Sequence, residues 1–107
     1  MMRNPRDMSG TGGARSESQK VLYYITSYSL RGEEDVKKVK EDIRNNFIVI
    51  LRITPLLEKG RDITIKVINQ IYEYVVSMGG DVARLGEDRI VLTPPGVRIW
   101  RSMESGG

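Results

Sequence analysis

Two runs of carboxylates are the residues of this chain best able to do acid/base work: Glu33, Glu34 and Asp35, and the pair Glu87 and Asp88. General acid/base catalysis needs such groups within hydrogen-bond reach of a reacting proton, at a pKa near the working pH. The first run opens a predicted helix, where acids are favoured by the helix dipole for local reasons. The second lies in a predicted turn, and neither has a nucleophile beside it. The chain contains no cysteine and no histidine. That removes thiolate chemistry, disulfides, the commonest zinc ligands and the usual proton shuttle at neutral pH. No spaced Asp/Glu loop suggests an oxygen-ligand cation site. The side chains point away from an enzyme and from a bound cofactor.

The glycines of "GGDVARLGEDRIVLTPPGVRIW", Gly79 to Trp100, could instead cradle a phosphate. A phosphate loop joins a strand to a helix, so that backbone amides and the helix N-terminus converge on the anion. Gly79 and Gly80 follow a predicted helix and precede a strand, which is the reverse order, and Gly86 joins two strands. They read as backbone devices: a helix exit, a hairpin turn, and a type II turn centred on Pro95 and Gly96.

Nucleic-acid binding is the other chemistry the residues allow. Tyr23, Tyr24 and Tyr28, with scattered Lys and Arg, invite comparison with sheets that stack bases on aromatics. Lys+Arg of 17 against Asp+Glu of 14 gives a net charge of only +3, and the central strand offers aliphatics where such a sheet would carry aromatics. A single-stranded nucleic-acid binder, or a small-molecule regulatory domain with its site at a subunit seam, remains as an alternative.

The elements that must position these residues follow from periodicity. The first twenty residues, rich in Gly, Ser and Arg, read as a disordered basic arm, and residues 102 to 107 as a flexible tail. "VLYYITSYSL", Val21 to Leu30, predicts a strand. In the next segment Val36, Val39 and Ile43 recur at helical spacing, with acids in the first turn and Arg44 near the end. "FIVILRI", Phe47 to Ile53, is apolar at every position but Arg52, as a strand buried on both faces would be. "TPLLEKGRD" reads as a loop begun by Thr54 and Pro55. Ile63 to Met78 predicts a second helix, with Ile68, Ile71, Val75 and Met78 in register. Asp81 to Leu85, Arg89 to Thr93 and Val97 to Trp100 predict three short strands.

The sum is a two-layer α/β sandwich over residues 21 to 101, β-α-β-α-β-β-β, with a mixed sheet of about five strands and two helices on one face. Those helices leave the second face of "FIVILRI" uncovered. Self-association is the cheapest cover, which makes Ile48 and Ile50 candidate dimer contacts. Lys66, Gln70 and Glu73 line one face of the second helix, beside which a short peptide could lie. No apolar run is long enough to span a bilayer and no secretory segment is evident, so a soluble, cytoplasmic chain is expected.

"FIVILRITPL", followed by a helix ending in "SMGGDVARLGEDRIVLTPPGVRIW", resembles the core of the SepF family of cell-division proteins, its archaeal members above all. The resemblance runs from about Val21 to Trp100. It implies a non-catalytic α/β core that dimerises through its sheet and binds the C-terminal peptide of the tubulin-like protein FtsZ, tying it to the inner face of the membrane at the division site. By analogy Lys66, Gln70 and Ile71 fall on the peptide-binding surface, and Gly79 and Gly80 near the dimer contact. Such proteins typically begin with an amphipathic membrane helix. Here Met1, Met2 and Met8 are the only bulky apolar residues of the first twenty, a small area for binding lipid.

Overall fold

The structure is a computed structural model that describes residues 20–101. The arm and tail expected at residues 1 to 20 and 102 to 107 lie, but for Lys20, outside the described residues. Strand β1 (Tyr24–Ser29) leads through a 3-10 turn (Glu33–Asp35) into helix α1 (Val36–Arg44). Then come β2 (Phe47–Arg52), a short helix α2 (Thr54–Lys59), the long helix α3 (Arg61–Ser77), and a hairpin of β3 (Val82–Arg84) and β4 (Arg89–Leu92). The sheet order is β1-β2-β4-β3. β1 and β2 run parallel, while β4 is antiparallel to both β2 and β3.

The helical layer forms because each helix offers one apolar row. On α1 this is Val36, Val39 and Ile43, and on α3 it is Thr64, Val67, Ile71 and Val75, all buried. Offsets of three and four put each row on a single face. These rows meet Val49 and Leu51 of β2 and Ile90 and Leu92 of β4 in one core. Thr64 is one of two buried threonines beside that core; its hydroxyl lies 2.6 Å from the Gly60 carbonyl and 2.9 Å from the Leu56 carbonyl, so the buried donor is satisfied.

Two expectations need correction. Thr54 to Lys59 is a helix, not a loop. Pro55 stands in its first turn, where a fixed φ and a missing N–H cost nothing, and buried Leu56 anchors it. Val97 to Trp100 is no strand, so among the described residues the sheet has four strands rather than five. The segment is pinned by side chains: Ile99 N–H donates to Asp81 Oδ2 at 3.0 Å, and Thr93 Oγ1 donates to the Val97 carbonyl at 2.7 Å. Among the described residues the helical layer accordingly holds three α-helices where two were expected.

Candidate functional site

β2 has two apolar faces with different fates. Val49 and Leu51 point to the helices and are fully buried. Ile48 and Ile50, one residue out of phase, point the other way and are only half-buried. Cross-strand register places Ile25 beside Ile48, and Val91 beside both Ile50 and Ala83. The result is an aliphatic patch across all four strands that no described element covers; Ile25 is 70% exposed. Tyr24 and Tyr28 are on the opposite side. Tyr24 stacks on Phe47 with centroids 5.1 Å apart, and Tyr28 donates its hydroxyl to Asp42 at 2.7 Å. Burial, and then that carboxylate, push the Tyr28 hydroxyl above its ordinary pKa. The bare face thus carries aliphatics where base stacking would need rings.

Lys66 and Gln70 come together on α3, around one carboxylate. Gln70 Nε2 donates to Glu33 Oε2 at 3.0 Å, and Lys66 Nζ lies 3.3 Å from the same oxygen. The Gln70 hydrogen bond, then Lys66, hold Glu33 below the usual carboxylate range. Ile71, their neighbour in sequence, belongs to the core at 1% exposure and offers a peptide no surface. Two of the other acids are similarly engaged: Asp35 accepts from the Arg31 N–H at 2.9 Å, and Asp88 lies 3.8 Å from Arg89 Nε.

Gly79 and Gly80 end α3 from within the protomer. Gly80 N–H donates to the Val75 carbonyl at 2.9 Å and Gly79 N–H to the Val76 carbonyl at 3.0 Å, a Schellman exit with Gly79 at φ 89°. Gly80 is needed for a different reason. A Cβ there would collide with the Thr93 carbonyl, so helix end and hairpin touch backbone to backbone. Asp81 completes the seam, accepting from the N–H groups of Val82 and Ile99 and from Arg101 Nη1 at 3.1 Å. Arg101, followed by these backbone donors, draws its pKa down to about 2.

A concavity of about 520 Å3 opens between α2, the start of α3 and β3, lined by Leu57, Arg61, Thr64, Ile65 and Arg84. Leu57 and Ile65 give it an exposed apolar floor, and two guanidiniums flank it. Among the described residues neither arginine forms a salt bridge. Tyr72 and Val76, seven and eleven residues beyond Ile65, are also exposed, so the apolar strip continues along α3. Reading Thr54 to Asp62 as a loop hid Leu57 and the helical i, i+4 pair Arg61 and Ile65. Arg84 reaches the site only through the folding of the hairpin.

Against known proteins, the profile of the family described as "Cell division protein SepF" matches residues 25–99. The chain belongs to the SepF family. A Cell division protein SepF from Haloferax volcanii is 30% identical over 76 residues, 70% of this chain and 63% of that protein's length. A SepF-like protein from Pyrococcus furiosus superposes with a TM-score of 0.70 at 27% identity, covering 77% of this chain and 99% of that one. A SepF-like protein from Archaeoglobus fulgidus gives 0.58 at 30% identity, covering 73% and 93%. This SepF core therefore shares the mixed α/β sandwich of its relatives. No helix among the described residues is long and apolar enough to cross a membrane.

Proposed function

We propose that this SepF-family chain is a dimeric, non-catalytic adaptor whose bare sheet face joins two copies and whose α2-α3-β3 concavity holds the C-terminal peptide of FtsZ. The aliphatic patch of Ile25, Ile48, Ile50, Ala83 and Val91 carries the reading. An uncovered apolar face spanning a whole sheet is a surface that a second copy can cover with the same residues, as a two-fold axis requires. For the peptide, the apolar floor suits aliphatic side chains and the arginine flanks suit carboxylates. Contact with the membrane would be peripheral and fall to residues 1 to 20, for which weak vesicle binding is expected.

A labelled C-terminal FtsZ peptide from the same organism tests the adaptor. Saturable binding should be lost in Arg61→Glu with Arg84→Glu, and weakened less by Lys66→Glu, which first has to release Glu33. Binding indifferent to the two arginines would remove the peptide from this concavity. Light scattering on the same preparation reads the dimer separately.

A further inference from the structure

The two edges of the sheet are finished differently. At the β3 edge the outward groups of Val82 are both taken: its N–H donates to Asp81 Oδ1 at 2.9 Å, and its carbonyl accepts from Arg101 Nη2 at 2.6 Å. At the β1 edge the phase of the ladder leaves the outward groups open. Tyr24 N–H donates to the Asn46 carbonyl at 3.0 Å and Leu30 N–H to the Arg52 carbonyl at 2.8 Å. In a parallel pair this assigns the even-numbered residues of β1 to β2 and turns the N–H and C=O of Ile25, Ser27 and Ser29 outward. No described strand lies on that side.

Exposed edges are ordinarily blunted by a lysine, a proline, a bulge or a covering loop. Residues 21 to 30 contain no charge, no proline and no glycine, and Val21, Leu22, Tyr23, Tyr24 and Ile25 are all exposed. We infer that the β1 edge is a second self-association surface, on which β1 of another copy pairs antiparallel to join two sheets into one.

The strand's own residues select that occupant. With the two-fold axis at Thr26, each Ile25 exchanges hydrogen bonds with Ser27 of the other copy. Thr26 then faces its own counterpart and Tyr24 faces Tyr28. Threonine pairs and aromatic pairs are stabilising cross-strand neighbours. The flanking cations fall opposite uncharged residues, Lys20 by Gly32 and Arg31 by Val21, so no like charges meet. This edge is distinct from the aliphatic face and does not depend on the face dimer. Used together, two isologous surfaces on one protomer build an open chain of subunits rather than a closed pair.

Residue-resolved amide exchange on the full chain, followed by NMR as its concentration is raised, tests the inference without a variant. The Ile25, Ser27 and Ser29 amides should slow by about tenfold or more, while Thr26 and Tyr28, already bonded to β2, change little. Stacking through the face would not produce that alternation. Ser27→Pro removes a donor the protomer does not use, and should halt growth in mass beyond the dimer seen by sedimentation. Ile50→Glu should leave the alternation in place, which separates failure of the face from failure of the edge. Assembly beyond a dimer with no slowing at these amides would overturn the edge. So would the absence of such assembly at high concentration, or slowing that appears only when FtsZ peptide is added.

Discussion

Ile50 and Leu51 are neighbours of nearly the same size and apolarity, yet Leu51 is fully buried and Ile50 half-exposed. The difference comes from what the chain can lay over each face. α1 and α3 supply two apolar rows, enough to cover the Val49 and Leu51 side and the matching residues of β4. Nothing described remains for the other side. Apolar composition on a strand therefore reports that a face is to be covered, and not by what.

The largest expected effect separates the two faces directly. Leu51→Ala should cost ~2–5 kcal/mol in chemical denaturation, as a cavity in a packed core does. Ile50→Ala should cost a dilute protomer much less. Equal losses under dilution would erase the distinction. Ile50→Glu should instead act on association, raising the dimer dissociation constant at least about a hundredfold in light scattering, because a buried unpaired carboxylate is costly.

Next in size is the seam behind the hairpin. Gly80→Ala should lose ~1–3 kcal/mol, since the Thr93 carbonyl has to move. Gly79→Ala, with open space around it but a left-handed φ, should lose about 1 kcal/mol. Thermal unfolding of the pair orders them; the reverse order would mean that conformation, not close approach, governs the seam.

The smallest effect is a pH dependence. Asp81 has a folded pKa of about 2, below its ordinary 3.8. Its contribution to stability is fully present above the ordinary value and is lost as pH falls through about 2. Wild-type stability should decline across that window more steeply than in Asp81→Asn. Parallel acid curves for the two would show that the Arg101 pairing adds nothing.

Much of this was legible in the sequence, for identifiable reasons. α1 and α3 announce themselves through helical periodicity, β1 and β2 through unbroken runs of β-branched, aromatic and aliphatic residues, and the SepF-like series of glycines and threonine carries the family. The short helix at Thr54 was hidden because Pro55 reads as a breaker unless its place in the first turn is known. Val97 to Trp100 has strand-like residues, but whether it pairs depends on Asp81, a distant carboxylate that takes the Ile99 donor. The family analogy puts Ile71 on the peptide surface, whereas its helical register with Val67 and Val75 puts it in the buried row. The concavity was out of reach, since Arg61 opens α3 and Arg84 ends β3, with the whole length of that helix and a reversal of the chain between them.

The contact between Gly80 and Thr93 also has a mechanical side. Arg61 and Ile65 stand on α3, Arg84 on the hairpin, and beyond their shared core the two touch backbone to backbone where Gly80 passes the Thr93 carbonyl. Such a junction works as a fixed fulcrum. A bulkier residue at position 80 would tilt the hairpin against the helix, and that tilt would reach the far end as a change in the spacing of two guanidiniums.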